Sequence, residues 1–295
     1  MPPWHTQWRR RTGTGENMGG IIWLASYPKS GNTWMRSFLH NLLRNSQQPV
    51  DINELDHFCI GESSSAQYRK YLKESVDTVD HEVLAKLRPK VQRDYTTYFP
   101  DSVFVKTHNF LGKWHGVDLH NMDVTAGGIY VLRNPLDVVL SMTHHFGEDI
   151  DGAIARMANE GALTAAGPEH VPEFHSSWSR HVESWTGRPN PQLLVVRYED
   201  LTLKPRKFFK QVSTFLGLKP SKERLERAIR NSSFKALKRQ EETRGFKEKS
   251  EFAQSFFREG KTEQWREKLS EDQIRRIVSD HREQMERFGY VPKGY

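Results

Sequence analysis

An apolar run, Ile21-Ile22-Trp23-Leu24-Ala25, leads directly into Tyr27-Pro-Lys-Ser-Gly-Asn-Thr-Trp34, and this junction constrains the fold more than any other feature of the chain. A short strand, a tight Pro/Gly turn carrying a lysine, and then a helix is how α/β proteins build an anion cradle. Trp34, Met35, Phe38, Leu39, Leu42 and Leu43 recur at helical spacing, so a helix is expected over 33–44. Its first turn leaves amide N–H groups unpaired toward the loop, where an anion binds. The loop departs from the nucleotide pattern Gly-x-x-x-x-Gly-Lys-Ser/Thr, because Trp23 and Pro28 stand where its glycines would be. The cradle therefore has a lysine and a hydroxyl but neither glycine, which separates it from an ordinary kinase or ATPase.

A chain of 295 residues with 36% hydrophobic residues is long enough to bury a sizeable core. The lone Cys59 excludes an intrachain disulfide framework and suits a reducing, cytoplasmic compartment. No apolar run approaches the length of a membrane span. Residues 1–20, with Arg9-Arg10-Arg11 and several Gly and Thr, read as a disordered basic leader. Residues 21–295 contain no repeat or linker and read as one domain. The net charge of +7 lies entirely in the second half of the chain. Such an excess attracts anions, whether nucleotides, nucleic acid, lipid or glycans, and does not choose among them.

Four apolar runs read as buried strands, at 21–26, 102–106, 128–132 and 192–197. Helical patterns fall at 33–44, 135–146, 174–186, 203–216, 221–230 and 271–287. Asn134 with Pro135 and Asp137 marks one helix start, Ser270 with Gln273 another, and Gly217 and Gly289 mark stops. This alternation predicts an α/β fold, a P-loop-like three-layer sandwich with a central parallel sheet flanked by helices. Segments 46–100, 147–172 and 240–256 fit the alternation poorly and are candidate covers for a substrate.

Ligands of open parallel sheets bind beyond the carboxyl ends of the strands. Here each expected strand ends in a polar cluster: the Lys29 loop, Lys106-Thr107-His108, Arg133-Asn134 with Ser141 two turns further on, and Arg197-Tyr198-Glu199-Asp200. A purely structural core has no use for such groups.

As an ordered set these segments resemble the cytosolic sulfotransferases that use 3′-phosphoadenosine 5′-phosphosulfate (PAPS). The loop 27–34 is similar to that family's 5′-phosphosulfate loop, and Lys106-Thr107-His108 to its catalytic segment. Arg133 through Ser141 resembles its 3′-phosphate segment. Trp178, His181 and Trp185, then Tyr198-Glu199-Asp200-Leu201, match the middle of the pattern. Ser232-Ser233-Phe234-Lys235 resembles the adenine side, and Phe257-Arg258-Glu259-Gly260 with Trp265 the late phosphate loop. The likeness runs from about residue 21 to 291. Glu259 departs from it, since the family commonly has lysine there, and 261–275 holds no match to the family's short dimer-forming sequence.

The resemblance implies an enzyme that moves a sulfuryl group from PAPS to a hydroxyl or amine of a small acceptor, without a metal, as a monomer or homodimer. The chemistry of the residues agrees. His108 is the candidate base for the acceptor proton. Lys29 and Lys106 supply charge for the leaving oxygen. Ser30, Gly31, Asn32 and Thr33 belong to the 5′-phosphate loop. Arg133, Ser141 and Arg258 are placed on the 3′-phosphate. Trp34 and Phe234 are set against the adenine. By the resemblance, Tyr198, Ser232, Phe257, Glu259 and Gly260 complete the donor set. Tyr95, Tyr98, Phe99, Phe174, Phe246, Phe252 and Phe256 suggest a partly apolar acceptor pocket, with His144, His145 and Phe146 nearby. Two rival readings are weaker. A small-molecule P-loop kinase needs the missing loop glycines and a Mg²⁺ pattern. A nucleic-acid-binding protein needs a binding module, and none is recognisable.

Overall fold

In the computed structural model, which describes residues 20–295, the run Ile21–Ser26 forms β1 and lies at the centre of a five-stranded parallel sheet. The expected leader lies outside the described residues but for Gly20. The other sheet strands are β2 (Cys59–Gly61), β3 (Val103–Thr107), β6 (Thr125–Leu132) and β9 (Leu193–Arg197), in the order β2-β3-β1-β6-β9. Two small antiparallel pairs sit outside it, β4 (Lys113–Trp114) with β5 (Val117–Asp118), and β7 (Leu163–Thr164) with β8 (Glu173–Phe174). The first helices are α1 (Asn32–Arg44), α2 (Leu55–Phe58), α3 (Ser65–Tyr68), α4 (His81–Tyr95), α5 (Pro135–Phe146) and α6 (Ile150–Ala158). There follow α7 (Trp178–Thr186), α8 (Tyr198–Leu203), α9 (Pro205–Phe215), α10 (Lys222–Asn231), α11 (Phe234–Arg244), α12 (Trp265–Lys268) and α13 (Glu271–Arg287).

β1 is apolar without alternation because both of its faces are covered. Ile21, Trp23 and Ala25 pack with Val103, Val105, Tyr130 and Leu132 under α5, α7 and α13. Leu24 faces the other way, with Ile129, Val131 and Val196, against Met35, Phe38 and Leu39 of α1, Phe209 of α9 and Leu225 of α10. The expected three-layer α/β arrangement is thus the observed one.

The elements with strong local signals start and stop close to expectation. α5 is capped by the Asn134 side chain, which accepts from the Leu136 N–H at 3.0 Å. α13 opens on the Ser270–Gln273 capping box. Five features escape the pattern. β2 is three residues long, too short to show a period. α4 carries Pro89 in its interior and buries Arg88, paired with Glu62, where an apolar residue would have announced the helix. α6 and α11 lie in segments read as irregular or unassigned. The helix expected over 174–186 begins at Trp178, capped by Ser177, and the residues before it form β8.

Candidate active site

The β1–α1 loop holds two residues with positive φ, Lys29 at 64° and Gly31 at 110°. A Cβ on Gly31 would stand 2.8 Å from the Tyr198 ring, so both the backbone angle and the close approach require glycine. Asn32 ties the loop back to the strand, its Nδ2 donating to the Leu24 carbonyl at 2.8 Å. Lys29, Gly31, Asn32, Thr33 and Trp34 line a cavity of about 430 Å³, a size that suits a small-molecule site. Ser30 does not line it; its Oγ is buried and finds no partner among the described residues.

Lys106 and His108 project from the end of β3 on the same side, two residues apart, and both line this cavity. The next strand holds the imidazole: His108 Nδ1 lies 2.8 Å from the Ser26 carbonyl. The peptide after it is fixed by His181, whose Nε2 donates to the His108 carbonyl at 3.2 Å while the Tyr130 hydroxyl donates to its Nδ1 at 2.8 Å. Burial, aided by the Lys106 charge, pushes the His108 imidazole well below its ordinary range, so it is neutral.

Arg133, beyond β6, donates to the Lys29 carbonyl at 3.1 Å and stacks 4.4 Å over the Tyr198 ring. Ser141 of α5 lines the cavity beside it. Arg258 reaches the same wall and donates to the Leu140 carbonyl at 3.1 Å. Trp34, Phe234, Phe257 and Gly260 line the far end. Gly260 has φ 64°, and a Cβ there would stand 2.3 Å from the Phe234 ring. Glu259 also lines the cavity, with its carboxylate bonded to Lys268 at 2.8 Å.

Lys29 bears the cost of this crowd of cations. Burial, then Arg133, Arg258 and Lys106, push its ammonium down to about 7, and its Nζ sits 3.9 Å over the Phe256 ring. Four cationic side chains meeting in one cavity suit a polyanion. The Nε of Arg133 and the Nε1 of Trp34 are buried without a partner among the described residues, so donors remain unspent in this wall.

Two expectations are corrected. Ser232 is buried away from the cavity, its Oγ donating to the Ala228 carbonyl at 2.8 Å as the end of α10 turns; Ser233 lines the cavity and caps α11. Of the seven aromatic residues expected around an acceptor, only Phe256 lines the cavity. Tyr95 and Phe246 belong to the core, Tyr98, Phe99 and Phe252 are exposed, and Phe174 packs on Trp114 at 4.7 Å. His145 and Phe146 do line it, while His144 faces solvent.

The sequence reading missed Thr164, Glu173, His175 and Glu248, which line the cavity near Lys106 and His108. The available signals were the Glu173-x-His175 alternation before a helix and the placement of Thr164 and Glu248 in the candidate covering segments 147–172 and 240–256. Arg36 grips Glu248 with two bonds, at 2.8 and 2.5 Å, from 212 positions away. Burial would push the Glu248 carboxyl up, but Arg36, with a smaller part from Lys106, holds it down to about 2. Among the described residues no helix is long and apolar enough to cross a membrane.

The family model described as the sulfotransferase domain matches residues 21–289. Luciferin sulfotransferase of Photinus pyralis is 25% identical over 244 residues, 79% of this chain and 61% of that protein. Human sulfotransferase 1E1 is 25% identical over 222 residues, 73% of this chain and 65% of its own. The chain thus spans less than two thirds of the length of these curated relatives. Among solved structures, retinol dehydratase with androsterone and inactive cofactor PAP superposes with a TM-score of 0.60 at 20% identity, over 90% of this chain and 80% of that one. A mouse sulfotransferase complexed with PAP gives 0.59 at 19% identity, over 92% and 85%. At these identities the likeness is one of fold.

Proposed function

The chain belongs to the sulfotransferase domain family, and from that premise we propose that it moves a sulfuryl group from PAPS to a hydroxyl or amine of a small acceptor by in-line transfer. The observation that carries this reading is the meeting of Lys29, Lys106, Arg133 and Arg258 with a neutral His108 in one cavity at the carboxyl ends of β1, β3 and β6.

PAPS, when bound, supplies the sulfuryl group and a phosphate leaving group. The chain's residues do the rest. The α1 amides and Lys29 hold the 5′-phosphate, and Lys29 neutralises the leaving oxygen. Arg133, Ser141 and Arg258 would hold the 3′-phosphate, and Trp34 and Phe234 would supply the rings for the adenine. Lys106 offsets charge on the moving group. His108, with its proton on Nδ1, presents the Nε2 lone pair to the acceptor. We further read residues 21–295 as one folding unit, since both core layers close on the same sheet. A cytoplasmic location fits relatives named cytosolic sulfotransferases in Arabidopsis thaliana.

The test is transfer of labelled sulfate from PAPS across a panel of phenols, alcohols and amines, with PAP binding measured separately by calorimetry. Transfer to at least one class and micromolar PAP binding are expected. A chain that binds neither PAP nor PAPS has another function.

A further inference from the structure

The acceptor end of the cavity differs from the donor end in one respect: it holds a carboxylate with little to bond to. Glu173 and Thr164 are direct partners in the β7–β8 pair, so their side chains share a face, and both line the cavity. Phe174 points the opposite way onto Trp114, and His175 returns to the cavity side. The backbone is fixed from the His108 segment, since the Phe174 N–H donates to Asn109 Oδ1 at 2.6 Å and the Phe110 N–H donates to the Phe174 carbonyl at 2.8 Å. Glu173 is therefore held in place beside the reacting groups.

Its side chain is only 13% exposed, and the His175 ring nitrogen nearest to it lies 3.9 Å away, beyond hydrogen-bond length. Among the described residues no N–H or O–H stands within hydrogen-bond distance of this carboxylate. Burial would push its carboxyl up, yet the Lys106 ammonium holds it well below the usual range, so it is ionised. Glu248, the other carboxylate of the region, is fully engaged by Arg36. An ionised and nearly buried carboxylate with unfilled lone pairs is costly unless a ligand supplies donors.

Resting on the sulfotransferase reading, we infer that Glu173 binds a hydrogen-bond donor of the acceptor, a second hydroxyl or an ammonium adjacent to the sulfated oxygen. The acceptor class is then a vicinal diol or amino alcohol, and not an isolated phenol or a sterol. Thr164, across the hairpin, reinforces the polar wall, and Phe146 and Phe256 leave room for an apolar ring or chain.

Three phenols matched in size test this: catechol, 2-(aminomethyl)phenol and 2-methylphenol. Turnover with PAPS and binding to the PAP-loaded protein are both measured, for the wild type, Glu173→Gln and Glu173→Asp. The wild type should favour catechol or the amine over 2-methylphenol by about tenfold or more. Glu173→Gln should remove the preference for the amine and weaken that for catechol, while binding PAP no more weakly than the wild type. Glu173→Asp should retain part of both preferences. A preference for catechol alone identifies the diol, and one for the amine alone the amino alcohol. Equal handling of all three ligands, in turnover and in binding, overturns the inference, as does a preference for either ligand that persists at its full wild-type size in Glu173→Gln. Failure to bind PAP would instead remove the sulfotransferase reading.

Discussion

The Nδ1 of His108 lies 2.8 Å from the carbonyl oxygen of Ser26, and because a carbonyl can only accept, the proton sits on Nδ1 and the lone pair on Nε2. Adjacent parallel strands thus set the tautomer: β1 supplies the acceptor and β3 the ring. Burial keeps the imidazole neutral, which leaves an unprotonated Nε2 of fixed orientation in the cavity.

On the proposed roles, His108→Ala lowers turnover by about 10²–10⁴-fold and leaves PAP affinity nearly intact. Arg133→Ala does the reverse, weakening PAP first. Calorimetry alongside steady-state rates separates the two. Near-normal turnover by His108→Ala would transfer the base role to another group, with His145 and His175, which also line the cavity, the candidates.

PAP should raise the thermal midpoint without added metal, since a ligand that binds only the native state stabilises it. The nucleotide lacking the 3′-phosphate should raise it much less, because Arg133, Ser141 and Arg258 would have no anion to hold. Transfer should also persist in excess EDTA at fixed ionic strength, with Lys29 and Lys106 supplying the charge. Equal midpoints for the two nucleotides would remove the 3′-phosphate assignment. Activity lost in EDTA and restored by Mg²⁺ would reopen the kinase reading.

PAP affinity should fall as pH rises above about 7, where the free Lys29 ammonium titrates. The sign follows from proton counts: the free site has lost the Lys29 proton above this pH, whereas a bound phosphate favours the charged lysine. Binding then takes up a proton, and affinity drops by at most about tenfold per pH unit. Calorimetry at pH 8 in buffers of different ionisation enthalpy reads this uptake directly. Lys29→Met should show none of it; uptake of the same size in that variant assigns the proton elsewhere.

Gly31→Ala should destabilise the fold by about 1–3 kcal/mol and weaken PAP, because φ is 110° and the new Cβ would meet the Tyr198 ring at 2.8 Å. Urea unfolding and PAP titration measure both effects. An unchanged urea midpoint with unchanged affinity would mean that the loop has an alternative conformation of equal energy.

Local chemistry made much of this protein legible in its sequence. β1, α5 and α13 follow from an unbroken apolar run, an Asn-Pro start and a capping box, each specified within a few residues. The Lys29 loop, Lys106, His108, Arg133 and Ser141 were visible because a parallel sheet gathers the carboxyl ends of its strands, so chain order alone implies convergence. What the tertiary structure decided lies where partners are distant in sequence. Arg36 and Glu248 meet across 212 positions, and Glu62 and Arg88 fill a buried place that apolar periodicity cannot announce. Ser232 and Ser233 were interchangeable as letters until the end of α10 turned one inward and the other to the cavity. Glu173 and His175 reach the cavity only because a two-residue strand, too short to carry a period, is pinned against the His108 segment. Hydrogen-bond caps and hydrophobic repeats are local and readable in order. The pairing of charges and the facing of a cavity depend on which segments close on each other, and that is settled only when the whole core packs.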